Sequence, residues 1–237
     1  MVEEGDERRP RARWGVGLAV AGLVGGILAS SVMATVAVSA GAAEDGVGAL
    51  ALAQLGLWAG FGAAAAVAAR RSRAPVAEAL GLRFGWRDAA VGVPLGMGGQ
   101  LVGVPLVALV LRPLVGSPDV EGPVRDLVEG VRGTDAILVV VLVGLGAPIM
   151  EELFYRWVLL RPLEARLGRT AGLVLTSALF GLSHFNPELS GSAQVLVVVT
   201  LSAFGAVLAL VVQRTGRLGL AMVTHAAFNA TTLVALL

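Results

Sequence analysis

Apolar residues run along this chain in long unbroken blocks, not in alternation with polar ones. Seven blocks, near residues 16–40, 47–69, 89–111, 135–160, 170–186, 193–213 and 218–236, are long enough to cross a hydrocarbon layer of about 30 Å as helices. The fifth is short and runs out into SHFNPELSGS, which reads as a loop. Two stretches between blocks mix polar and apolar positions. Residues 74–88, APVAEALGLRFGWRD, set Leu80, Leu82, Phe84 and Trp86 beside Arg83 and Arg87, as a segment at headgroup level does. Residues 119–133, DVEGPVRDLVEGVRG, read as a short polar helix on the other side of the membrane. The pattern predicts an all-α polytopic transmembrane helix bundle, about seven spans with short interfacial helices. No internal repeat divides it. It reads as a tail (1–15), an N-terminal set of helices (16–134) and a C-terminal core (135–237). Gly22/Gly26, Gly56/Gly60, Gly92/Gly96 and Gly99/Gly103 have the small-xxx-small spacing that lets helices approach closely.

Composition agrees and removes several function classes. Of 237 residues, 56% are apolar and 15% charged, and the mean hydropathy is +0.81. The net charge of +1 supplies no bulk field for a nucleic-acid partner. With no Cys there is no disulfide, thiolate nucleophile or thiolate metal site. Only two histidines, His184 and His225, are available for acid–base or ligand roles.

Every basic residue is Arg, and the arginines are unevenly spread. The tail holds four, the loop 70–88 five, the loop 161–169 three and the turn 214–217 two. The loops 41–46 and 187–192 hold none, and the loop 112–134, with three, is the one departure. By the positive-inside rule the N-terminus is cytoplasmic and the protein is a multi-pass component of the cell membrane. The first block has the basic front of a signal peptide. Its apolar run is longer than a signal core, and six blocks follow, so it reads as a retained anchor.

Against this background the stretch GLGAPIMEELFYRWVLL, residues 144–160, stands out. A charge near the bilayer centre costs roughly 2.5–3.5 kcal/mol on insertion scales, and Glu151 and Glu152 also repel each other. Glu152 and Arg156 are i and i+4 and can pair, which leaves Glu151 aimed elsewhere. A structural Glu–Arg clamp is the bland explanation. His184, one turn after Phe180, and the i,i+4 pair His225/Asn229 could equally be polar contacts between helices.

Depth joins these residues. Counted from the cytoplasmic ends of their blocks, Glu151 is roughly 15 Å deep, His184 roughly 21 Å, and His225 and Asn229 roughly 11 and 17 Å. One layer, between mid-bilayer and the cytoplasmic face, thus holds both histidines, the glutamate pair and an amide, which points to a shared site. Two chemistries fit. A glutamate could act as general base on a water held by His184, with His225 and Asn229 donating to an oxyanion. Alternatively Glu151, His184 and His225 could bind a divalent metal that activates the water, although HExxH spacing is absent.

EELFYR, FGLSH and HAAFN resemble the EExxxR, FxxxH and HxxxN motifs of the CPBP membrane proteins, the CAAX protease and bacteriocin-processing or Abi family. LGLRFGW and RTGRLGLAMVTHAAFN resemble that family's interfacial segment and its lead into the third motif. The likeness covers roughly residues 135–232. It implies an intramembrane glutamate protease without metal or other cofactor. Glu151 would be the base, His184 its partner on the water, and His225 and Asn229 the oxyanion site, with Glu152 and Arg156 in support. Its partners would be membrane lipid and a peptide or protein substrate, prenylated or a leader peptide, cut near the cytoplasmic side. A non-proteolytic membrane partner or immunity-type protein is the alternative. Trp157 stands where the family usually has Gly, which would narrow a substrate path.

Overall fold

The computed structural model describes residues 13–44 and 46–236, so most of the expected tail, with Arg8, Arg9 and Arg11, lies outside the described residues. The described residues form nine helices: α1 Val16–Ser39, α2 Val47–Ser72, α3 Val76–Ala79, α4 Trp86–Val115, α5 Gly122–Val128, α6 Thr134–Leu167, α7 Arg169–Leu182, α8 Gly191–Thr215 and α9 Gly219–Leu236. Six of them, α1, α2, α4, α6, α8 and α9, are long and apolar enough to cross a membrane. The protein is an all-α, multi-pass membrane bundle.

The expectation of seven spans fails at α7. Its 14 residues give about 21 Å of helix, short of a full crossing. The physical reason is Pro187, which lacks an amide and disfavours helical backbone at Asn186. The chain leaves the helix through tight turns, with the amides of His184 and Phe185 donating to the carbonyls of Gly181 and Leu182. It does not re-enter helix until Ser190 caps α8 by accepting from the Ala193 amide at 3.3 Å.

Small residues set the crossings. Gly22 and Gly26 of α1 face Gly56, Gly60 and Ala64 of α2 so closely that a Cβ on Gly56 would lie 2.6 Å from the Ala29 backbone. Gly92 and Gly96 do the same for α4 against Val223, Thr224 and Ala227 of α9. Gly99/Gly103 is not such a pair: Gly99 meets Phe204 and Phe228, while Gly103 faces no neighbouring helix.

The α1/α2 layer packs on α6 through aromatic rings. Phe61 stacks on Phe154 with centroids 4.0 Å apart, and Trp14 Nε1 donates to the Val158 carbonyl at 2.9 Å. α6 is not regular. Val140–Gly146 and Glu152–Leu159 are wound as π-helix, as is Gly99–Gly103 in α4. Such wide turns carry an extra residue and collect at functional sites. In α6 they flank Glu151.

The loops sort onto two faces. On one, Arg217 pairs with buried Asp88 and donates to the Arg83 carbonyl at 3.1 Å. On the same face Gln213 joins Glu164 at 2.6 Å and the Arg169 carbonyl at 3.0 Å. This is the arginine-rich face. The opposite face carries residues 116–133 and the loop 183–190. The segment 74–88 has α3 at its start, with Leu80 buried and Phe84 and Trp86 exposed.

Candidate active site

The wide turn Glu152–Leu159 puts eight successive residues of α6 out of contact with the surroundings, with Glu152 and Arg156 fully buried. Their pairing is realised: Arg156 Nε lies 3.2 Å from Glu152 Oε2. A second partner, Nη2 to the Gly205 carbonyl at 3.4 Å, ties Arg156 to α8. The guanidinium also sits 4.2 Å from the centroid of Phe180. Gly205 permits this approach, since a Cβ there would be 3.0 Å from Phe180 and 3.3 Å from Arg156 Nη2.

Glu152 has one more partner, on α9. His225 Nδ1 lies 2.9 Å from Glu152 Oε1. A carboxylate oxygen accepts, so Nδ1 is the donor and Nε2 is the nitrogen turned toward Glu151. That Nε2 is 3.9 Å from Glu151 Oε2.

His184, just past the end of α7, repeats the arrangement. Its Nδ1 donates to the Phe180 carbonyl one turn back at 2.7 Å, and its Nε2 lies 4.0 Å from the same Glu151 oxygen. Phe180 braces both rings edge-on, at 4.8 Å from His184 and 5.6 Å from His225.

Asn229 takes a different part. Its Nδ2 donates to the Val143 carbonyl at 2.9 Å, within the first wide turn of α6. One amide hydrogen is spent on that bond, and the other is free. Ser183, beside His184, spends its hydroxyl on the Phe180 carbonyl at 2.8 Å.

Glu151, Glu152, Arg156, His184 and His225 are therefore joined in one cluster across α6, α9 and the end of α7, with Glu151 Oε2 facing two imidazoles, while Asn229, one turn after His225 on α9, reaches the Val143 carbonyl of α6. Sequence reasoning missed Phe204 of α8, edge-on to His225 at 5.6 Å. It also missed the Val143 carbonyl, since a backbone acceptor leaves no residue signal. Trp157 is corrected. Its indole donates to the Ala79 carbonyl at 2.5 Å, packs over Gly81 and is covered by Arg161 at 3.3 Å. It fastens the segment 79–81 to α6 instead of lining a path.

The site has a closed side and an open side. From Glu152 to Leu160, toward the arginine-rich face, every residue is buried. At Glu151 and His184 the side chains are 16% and 33% exposed. On the opposite face a separate cavity of about 820 Å³ is lined by Asp119, Asp126, Asn186, Glu188 and Ser192, among others, and by none of the site residues. A second cavity of about 540 Å³, largely apolar, lies between α4 and α8. Phe228 lines it and stacks on Phe204 at 4.1 Å, so two rings stand between that cavity and His225.

Residues 133–231 match the family model described as Type II CAAX prenyl endopeptidase Rce1-like, which takes in α6 to α9 and every site residue named above. No curated protein and no solved structure matches the chain significantly.

Proposed function

We propose, from the match of residues 133–231 to the type II CAAX prenyl endopeptidase Rce1-like family model, that this chain hydrolyses a peptide bond inside the membrane with Glu151 as general base. The observation that carries the reading is the convergence of His184 Nε2 and His225 Nε2 on Glu151 Oε2, at 4.0 and 3.9 Å. Each gap fits one bridging water at about 2.8 Å from both acceptors.

In the proposed reaction the water gives one hydrogen bond to Glu151 and one to His184. Glu151 takes the proton as the water oxygen bonds to the peptide carbonyl carbon. The oxyanion that forms is met by the free amide hydrogen of Asn229 and by His225. For His225 to donate from Nε2 while Nδ1 donates to Glu152, it must be an imidazolium, and Glu152 is its counter-charge at 2.9 Å. Arg156 in turn holds Glu152. As the C–N bond breaks, Glu151 returns the proton to the leaving nitrogen. An apolar or lipid-modified part of the substrate has a place in the 540 Å³ cavity.

Purified Glu151→Gln and His184→Ala variants, confirmed folded, are to be incubated with a peptide library read by mass spectrometry. Cleavage should vanish in both. Cleavage at the parent rate in Glu151→Gln would end the proposal. Full cellular function in that variant would favour the non-proteolytic partner role. One carboxylate oxygen and two imidazoles are also the ligand types of a metal site, but among the described residues no group of three or more His, Cys, Asp or Glu is placed to hold one ion, so the metal reading has no geometric support.

A further inference from the structure

We infer that Tyr155 is a positioning residue for His184: its phenol, through the Ser183 hydroxyl, ties the end of α7 to α6 one turn from Glu151 and so sets the gap that Glu151 and His184 share. The inference deepens the proteolytic reading and rests on it for the water in that gap; the tie itself stands on geometry.

The need for a tie follows from how α7 ends. The amides of Ser183 and His184 donate to the carbonyls of Leu179 at 2.9 Å and Gly181 at 3.1 Å. A continuing helix would give the His184 amide to the Phe180 carbonyl, so the early end withdraws that donor. Two side chains take its place, the Ser183 hydroxyl at 2.8 Å and His184 Nδ1 at 2.7 Å. These bonds aim the imidazole, but they reach only one turn back along the same segment. Phe180, Ser183 and His184 can therefore shift as a unit against α6, which carries Glu151.

Tyr155 closes the connection. It lies on α6 four residues after Glu151 and is 2% exposed. Its phenol is hydrogen-bonded to the Ser183 side chain. Ser183 has one hydroxyl hydrogen, and the Phe180 carbonyl receives it, so the phenol is the donor. The row runs from Tyr155 to Ser183 to the Phe180 carbonyl, where His184 Nδ1 enters from the other side. The Tyr155 ring is itself held edge-on by Phe154 at 5.2 Å, Phe180 at 5.3 Å and Phe61 at 6.1 Å. Packing of this kind is satisfied equally by phenylalanine. The hydroxyl adds a polar bond between two helices, one residue from His184.

The quantity at stake is the 4.0 Å between His184 Nε2 and Glu151 Oε2. A displacement of about 1 Å in such a pair can cost about 100-fold in rate.

The test has two arms, both on the purified full chain. In a double-mutant cycle, Tyr155→Phe and Ser183→Ala should each lower kcat by about 10- to 100-fold with KM unchanged. The double variant should be no slower than the slower single one, because both remove the same bond. Ser183→Thr keeps a hydroxyl and should stay near the parent. A parent kcat in Tyr155→Phe, or losses that multiply in the double variant, would overturn the tie. The second arm uses no proteolysis. The chain has two histidines, so isotope-labelled histidine gives two sets of ring signals in magnetic resonance, assigned with His225→Gln. Tyr155→Phe and Ser183→Ala should shift or broaden the His184 set and leave the His225 set in place. Phe180 touches both rings, at 4.8 and 5.6 Å, so movement of both sets would assign Tyr155 to packing alone and overturn the proposal. An unmoved His184 set would overturn it as well. The tie can therefore fail while Glu151→Gln still abolishes cleavage, or hold while it does not.

Discussion

Glu152 and His225 are joined across two helices: Nδ1 of the α9 imidazole lies 2.9 Å from Oε1 of the α6 carboxylate, and neither side chain is more than 4% exposed. The bond fixes which ring nitrogen faces Glu151, and it makes Glu152 the centre of a row that runs Arg156, Glu152, His225, Glu151.

Removing the charge at the middle of that row has a structural and a chemical effect, and the two separate. Glu152→Gln leaves Arg156 as a buried cation without its counter-charge, which costs about 3–5 kcal/mol. Its thermal midpoint in detergent should fall well below that of the parent. The double variant Glu152→Gln/Arg156→Met removes both charges and should recover most of the midpoint. It should not recover cleavage, because His225 has lost the carboxylate that supports its positive charge. Recovery of both would make Glu152 a packing residue only.

Asn229→Ala deletes the donor to the Val143 carbonyl and the free amide hydrogen together. The orphaned carbonyl costs about 1–3 kcal/mol. Loss of an oxyanion donor should lower kcat about 100-fold with little change in KM. Asn229→Asp keeps the shape without the donor hydrogens and should be as slow. A normal kcat in Asn229→Asp would remove Asn229 from the reaction.

The glutamate and metal readings part company over a chelator. Dialysis against a tight divalent-metal chelator, followed by assay in metal-free buffer, should leave the rate of peptide cleavage unchanged. Loss of activity, restored by adding back a divalent metal, would decide for the metal reading.

Gly56 tests the α1/α2 layer away from the chemistry. A Cβ there would lie 2.6 Å from the Ala29 backbone, so Gly56→Val must push the helices apart. Overpacking of this kind costs about 1–3 kcal/mol. Phe61 rests on Phe154, so the loss should appear as a lower thermal midpoint, while kcat of the folded fraction stays near parent. An unchanged midpoint would show that the crossing carries no stability.

Much of this was legible in the sequence because hydrocarbon imposes so few solutions on a chain. Long apolar runs have to be helices, and charges within them need partners. The Glu152–Arg156 pair followed from i,i+4 spacing alone. The meeting of Glu151, His184 and His225 followed from counting depth. What did not show has physical causes as well. π-turns depart from the 3.6-residue period without changing composition, so neither wide stretch of α6 left a pattern. The early end of α7 is set by a single proline after an apolar run, and the run dominated the reading. The depth count located the site between mid-bilayer and the cytoplasmic face but carried no information on which side of it is packed. That asymmetry depends on contacts between α6 and helices more than eighty residues away in the chain, such as the stacking of Phe61 on Phe154 and the bond from Trp14 to Val158.

The indole of Trp157 resting on Gly81 has a consequence for variation among related chains. Gly81 has φ +64 and a ring where its side chain would stand, so the two positions exchange volume across the boundary between membrane and headgroups. A relative with glycine at the position of Trp157 has no ring there and loses the anchor to the Ala79 carbonyl, so its interfacial segment must be fastened by other means. The two positions should therefore change together over evolutionary time, and swapping only one of them between relatives should yield a poorly assembled chimera where swapping both does not.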